Sequence, residues 1–159
     1  NQRSLEAKVI RQEITKPKIS GGKNNIIFIG GPYIEFGYIT KSELLDKLNC
    51  IKSLFNSNEL IYFSHPREKL TVKEEEICLV KGYKELLREI EKFANLNTVF
   101  ISCFSSGLID VKLAYPANKF AFFRLPNYLQ RQDEHLFGFN VERKIYNLFE
   151  RLGFEECHP

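Results

Sequence analysis

The chain has 159 residues, the size of a single domain. Its 43% hydrophobic and 27% charged content is ordinary for a chain that folds around a buried core. No apolar run approaches the ~20 residues needed to cross a bilayer, no secretory signal pattern opens the chain, and a net charge of +3 is too mild for a nucleic-acid-binding face. Such a balance suits a small anionic ligand.

Residues 1–24 are polar and basic. A short helix or strand near Leu5–Ile14 is followed by Lys16-Pro17-Lys18 and Ser20-Gly21-Gly22, the composition of a linker at a domain boundary. A chain that opens on Asn1 and has no Met is expected to be a fragment or a processed form. From residue 25 to 159 the pattern is that of one α/β domain. Asn25–Ile29 is a continuous apolar run, the mark of a strand buried on both faces, and it stops at Gly30-Gly31-Pro32. Thr40 and Glu43 have capping-box spacing. The helix behind them puts Leu44, Leu45, Leu48, Ile51, Leu54 and Phe55 on one face and ends at 56–58. Leu60–Phe63 is a strand that stops at Ser64-His65-Pro66-Arg67, and Ile77–Val80 is another. Tyr83–Phe93 is a helix with Leu86, Leu87, Ile90 and Phe93 inward. Thr98–Phe104 is a strand that leads through Ser105-Ser106-Gly107 into a helix over Leu108–Ala114. Lys119–Phe123 is the last strand and Phe139–Leu152 the last helix, stopped at Gly153.

Strands and helices in alternation predict a Rossmann-like parallel sheet with helices on both faces. Ligands of such open sheets bind beyond the carboxyl ends of the strands. Gly30-Gly31-Pro32, Ser64-His65-Pro66-Arg67 and Ser105-Ser106-Gly107 all stand at such ends and can line one crevice. A helix N-terminus with hydroxyls at Ser105 and Ser106 can hold a phosphate without a metal. Ser105 also reads as a plain N-cap, and the two roles are compatible. Pro66 holds His65 out of the helical region, and its imidazole can protonate or hydrogen-bond a departing phosphate. Glu35, in the loop after the first strand, is either a general base toward a substrate hydroxyl or a solvated loop acid. His135 and His158 carry no functional pattern. The four cysteines, Cys50, Cys78, Cys103 and Cys157, form no CxxC pair, and they read as buried reduced thiols of a cytoplasmic protein.

GxGxxG, GxxxxGK[ST] and GxSxG are all absent. None of the three aspartates is one residue from another, so no DxD clamp for a metal and diphosphate exists. Phosphate charge is left to backbone N–H groups, hydroxyls, His65 and bases such as Arg67, Lys69 or Lys112.

The succession IGGPYIEFGYIT, YFSHPRE and CFSSGLIDVKLAYP, over roughly residues 25–125, resembles the bacterial lipooligosaccharide sialyltransferases of glycosyltransferase family 52. Bacterial polysialyltransferases share the same style of motifs: an acidic motif ending in Gly, an HP motif and a Ser pair. The resemblance implies one lobe of a two-lobed, GT-B-type glycosyltransferase, the C-terminal lobe that binds CMP-sialic acid. It implies inverting transfer, without metal or other cofactor, to a galactose-type hydroxyl of a bacterial surface glycan. Carried over by motif, Glu35 is the general base and His65 the general acid or leaving-phosphate stabiliser. Gly30, Gly31, Pro66, Arg67, Ser105 and Ser106 would contact the donor, and Gly37 closes the acidic motif. Phe36 stands where the family has a second acid. The implied setting is the cytoplasm, with peripheral contact at the inner face of the inner membrane, no nucleic-acid partner and room for a homodimer. Three alternatives stay open: a two-lobed transferase for a different nucleotide sugar, a noncatalytic nucleotide- or anion-binding module or degenerate lobe serving assembly, and a plain structural domain.

Overall fold

The computed structural model describes residues 25–69, 77–80, 85–125 and 138–159. The expected element near Leu5–Ile14 and the linker lie outside them. The elements run β1 (Asn25–Ile29), α1 (Lys41–Leu54), β2 (Leu60–Phe63), β3 (Ile77–Val80), α2 (Leu86–Glu91), β4 (Thr98–Ser102), α3 (Gly107–Ala114), β5 (Lys119–Phe122), α4 (Gly138–Arg151) and β6 (Glu155–Glu156).

The sheet has six strands in the order β3-β2-β1-β4-β5-β6, and every pairing is parallel. This is the order of doubly wound nucleotide-binding sheets, with the direction of winding reversing between β1 and β4. The central strands are apolar throughout because both of their faces are covered. Ile26 and Phe28 of β1 face a core shared with Leu44, Leu48 and Ile51 of α1. Ile27 and Ile29 face a second core, shared with Leu86 and Ile90 of α2, Val111 of α3, and Tyr146 and Phe149 of α4. Among the described residues, one helix therefore covers one face and three cover the other.

The Thr40–Glu43 capping box forms as expected. The Thr40 N–H donates to the Glu43 carboxylate at 2.8 Å, and the Glu43 N–H donates back to the Thr40 hydroxyl at 3.2 Å. Two expected inward leucines are not inward: Leu54 is 57% exposed and Leu87 42%. At 3.6 residues per turn, Leu54 falls on the flank of the Leu44–Leu48–Ile51 stripe, and Leu87 on the flank of the Leu86–Ile90 stripe. The expected strand over 98–104 ends at Ser102, where the Ser102 hydroxyl turns back to the Ser105 N–H. β6 has no apolar run to announce it. It pairs Glu155 and Glu156 with Ala121 and Phe122, and Arg124 donates to Glu156 at 3.0 Å. Of the cysteines only Cys103 is buried, while Cys78 and Cys157 are partly covered and Cys50 is exposed. Cys50 thus departs from the buried-thiol expectation because it lies on the solvent side of α1. No helix among the described residues is long and apolar enough to cross a membrane.

Candidate functional site at the carboxyl edge of the sheet

β1 delivers Gly30 and Gly31 to the edge at the point where the winding reverses. The Gly30 N–H donates to the Phe63 carbonyl at 2.8 Å, which draws the loop against the end of β2. A Cβ on Gly30 would stand 2.6 Å from a Glu68 carboxylate oxygen and 2.8 Å from the Phe63 carbonyl. Only glycine fits there. The chain then makes a single turn. The Tyr38 N–H donates to the Tyr33 carbonyl at 2.9 Å and the Gly37 N–H to the Ile34 carbonyl at 2.8 Å. These are the paired bonds of a Schellman ending, and Gly37, at φ 66°, takes its left-handed position. The last Gly of the acidic motif is thus required by the backbone. Glu35 is exposed, and its carboxylate accepts the Lys69 N–H at 2.6 Å, which joins the β1 loop to the β2 loop. Phe36 beside it is 46% exposed, and its ring meets Tyr38 edge-on.

The loop after β2 is the most tightly specified part of the edge. Pro66 follows His65, and the Glu68 N–H donates to the His65 carbonyl at 2.9 Å. The Arg67 N–H donates to His65 Nδ1 at 3.1 Å. The His65 N–H donates to Glu68 Oε2 at 2.5 Å. His65, Pro66 and Glu68 therefore close a single turn with the residue spacing of a capping box, in which the Glu68 carboxylate reaches back to the His65 N–H and the imidazole takes the Arg67 N–H rather than that of the third residue. Because Nδ1 accepts a bond, the neutral ring carries its proton on Nε2. Burial first, and the Arg67 charge second, push the His65 pKa below its usual 6.5, with the Glu35 charge acting in the opposite direction. At neutral pH the ring is neutral and serves as a hydrogen-bond donor.

Glu68 had no place among the expected site residues. Its carboxylate accepts the Tyr62 hydroxyl at 2.5 Å as well as the His65 N–H. Burial raises its pKa from 4.5 to about 7, against the lowering effect of bonds from Tyr62, His65 and Ser64. The signal was present in the sequence, since H-P-R-E has the spacing of T-K-S-E at the start of α1. His is an uncommon residue at the head of such a turn, and for that reason the second turn is less visible than the first.

β4 ends in a second buried network. The Ser102 hydroxyl donates to the Ile29 carbonyl at 2.8 Å. It is 3.1 Å from the Tyr33 hydroxyl, which is left as the donor of that pair. It also accepts the Ser105 N–H at 3.2 Å. One side chain so ties the β1 and β4 loops together. The expected cap differs in detail: Ser106 is the N-cap of α3, without a side-chain cap bond, and Ser105 accepts the Gly107 N–H at 3.3 Å. The next two amides donate to the Ser105 and Ser106 carbonyls at 3.1 and 2.9 Å. An anion at this turn would meet the Ser106 hydroxyl, which is exposed, before it met those amides.

The edge thus gathers Gly30, Gly31, Glu35, His65, Pro66, Arg67, Ser105 and Ser106 on three adjacent strand ends. At about 4.8 Å per strand, the ends of β2 and β4 lie roughly 10 Å apart across β1, a span suited to a nucleotide rather than to a lone phosphate. Lys112 is elsewhere. It lies in the last turn of α3, donates to the Pro116 carbonyl at 3.0 Å and stacks over Phe120. α3 carries it away from the carboxyl edge. No family model matches this chain, and no curated protein matches it. Among the described residues no group of three or more His, Cys, Asp or Glu side chains is placed to hold a metal ion. An open concavity of about 540 Å³ lies away from the edge, between α1 (Asn49, Cys50, Ser53, Leu54) and His158-Pro159, and joins none of the residues above.

Proposed function

We propose that this domain is the donor-binding lobe of a two-lobed sialyltransferase that moves sialic acid from CMP-sialic acid to a galactose-type hydroxyl of a bacterial surface glycan without a metal. One observation carries the nucleotide part of this reading: three loops meet at the carboxyl edge where the winding of the sheet reverses. The three motifs on those loops carry the CMP and sialic-acid part. In this mechanism the donor phosphate lies between His65 and Ser106. His65 Nε2–H and the hydroxyl stabilise the charge that develops as the glycosidic bond breaks, a contribution that typically amounts to 10²–10³ in rate for one such donor. His65 acts as a stabiliser of the leaving phosphate, since its neutral ring holds no extra proton to give. Glu35 accepts the proton of the acceptor hydroxyl, provided that substrate binding frees it from Lys69.

A second reading is favoured by two features of Glu35. One oxygen of its carboxylate accepts a main-chain N–H, and Phe36 stands where the family has an acid. Both suit a lobe that binds the nucleotide and does not catalyse transfer.

Titrating the chain with CMP and with UMP, read by amide chemical shifts, separates these possibilities. The expected result is tighter binding of CMP, with shifts at Gly31, His65 and Ser106. Preference for UMP would point to another nucleotide sugar, and absence of shifts at those loops would discard the site. Transfer assays of Glu35→Gln in the complete enzyme then distinguish catalyst from binding module, because an active enzyme loses turnover and an inactive parent has none to lose.

A further inference from the structure

We infer that Glu68 is the positioning residue of His65: an acceptor atom held on the His65 main-chain N–H, and anchored to β2 through Tyr62, decides which imidazole nitrogen carries the proton. The inference rests on the reading that His65 meets the donor phosphate. A turn of this spacing alone closes upon itself. This one is also keyed to the sheet, since Glu68 Oε1 takes the Tyr62 hydroxyl at 2.5 Å while Oε2 takes the His65 N–H. The same carboxylate lies 2.6 Å from where a Cβ on Gly30 would be, so the ends of β1 and β2 and the HP turn pack together at this point. With the His65 main chain held, its Nδ1 stays within reach of the Arg67 N–H at 3.1 Å. That bond leaves the proton on Nε2. If the main chain were released, Nδ1 could exchange its partner and both tautomers would be populated.

The groups that face Glu68 are Tyr62 and Ser64 from β2 and its end, His65, and the Glu35 charge from the β1 loop. Tyr33 and Cys103 feel its charge from the β1 and β4 loops. None of these is a cation. The role therefore depends on the reach of an acceptor atom rather than on negative charge, and two conservative variants separate the two properties. Glu68→Gln keeps the reach and removes the charge. Glu68→Asp keeps the charge and shortens the side chain by one methylene.

The experiment is long-range proton–nitrogen NMR of the His65 ring in the full chain at pH 7.5, with CMP titrated into each variant. In the wild type and in Glu68→Gln, a single Nε2–H tautomer is expected, and the variant binds CMP no more weakly than wild type. In Glu68→Asp, mixed tautomers are expected, with CMP binding about tenfold weaker, as fits the loss of one hydrogen bond to a charged group. A fixed tautomer in Glu68→Asp, or a lost one in Glu68→Gln, would overturn the inference. Weaker CMP binding with the tautomer unchanged would overturn it too, since Glu68 would then act on the ligand directly. If the tautomers follow the expected pattern but no protein binds CMP, the proposed function fails and the role of Glu68 stands.

Discussion

The raised pKa of Glu68 makes a quantitative statement about stability. Its carboxyl titrates near 4.5 when unfolded and at about 7 in the folded chain, chiefly because it is buried. Between those values the folded protein holds a proton that the unfolded chain has released. The contribution of Glu68 to folding is therefore most favourable at low pH and declines as pH rises through the window. At 1.36 kcal/mol per pH unit the full difference corresponds to about 3 kcal/mol. The carboxyl keeps some contact with solvent, which reduces the expected figure to roughly 2 kcal/mol. Glu68→Gln has nearly the shape of the protonated acid and cannot ionise. Urea denaturation of both proteins between pH 5 and pH 8 should find them similar in stability at pH 5, with the variant gaining about 2 kcal/mol over wild type by pH 8. His65 and other groups titrate in both proteins, so they cancel in the difference. A difference between the proteins that stays flat across this range would refute the claim that Glu68 is buried at a cost.

Other substitutions address neighbouring contacts. Gly30→Ala would press a methyl group to within 2.6 Å of Glu68 and 2.8 Å of the Phe63 carbonyl; thermal or chemical denaturation should show a loss of about 1–3 kcal/mol or more. Glu35→Gln removes the charge that raises the His65 pKa, and Arg67→Ala the one that lowers it. NMR titration of the imidazole should therefore move down for the first and up for the second, and shifts in the same direction would contradict the arrangement. Ser102→Ala leaves the Tyr33 hydroxyl and the Ser105 N–H without their buried partner. It should cost about 1–3 kcal/mol by denaturation, and an unchanged midpoint would show that the loops are not joined there.

Much of the fold is legible in local sequence because each feature has a local cause. A strand buried on both faces must be apolar along its length, and Asn25–Ile29 and Leu60–Phe63 read as strands for that reason. The α1 capping box and the glycine after α4 likewise depend on residues a few positions apart. Leu54 and Leu87 mislead because leucine spacing gives the flank of a helix the same appearance as its centre. β6 is invisible because its two glutamates owe their strand geometry to β5 and Arg124 rather than to their own side chains. The site divides in the same way. The residue types at the ends of β1, β2 and β4 stand out in the sequence. Much of their chemistry does not, because it is set by partners distant along the chain: Glu35 by the Lys69 main chain, Ser102 by Ile29 and Tyr33, and the neighbourhood of Gly30 by Glu68. Short-range geometry writes itself into the order of residues. Protonation states and the use of each donor arise from burial and from contacts that only the folded sheet brings together.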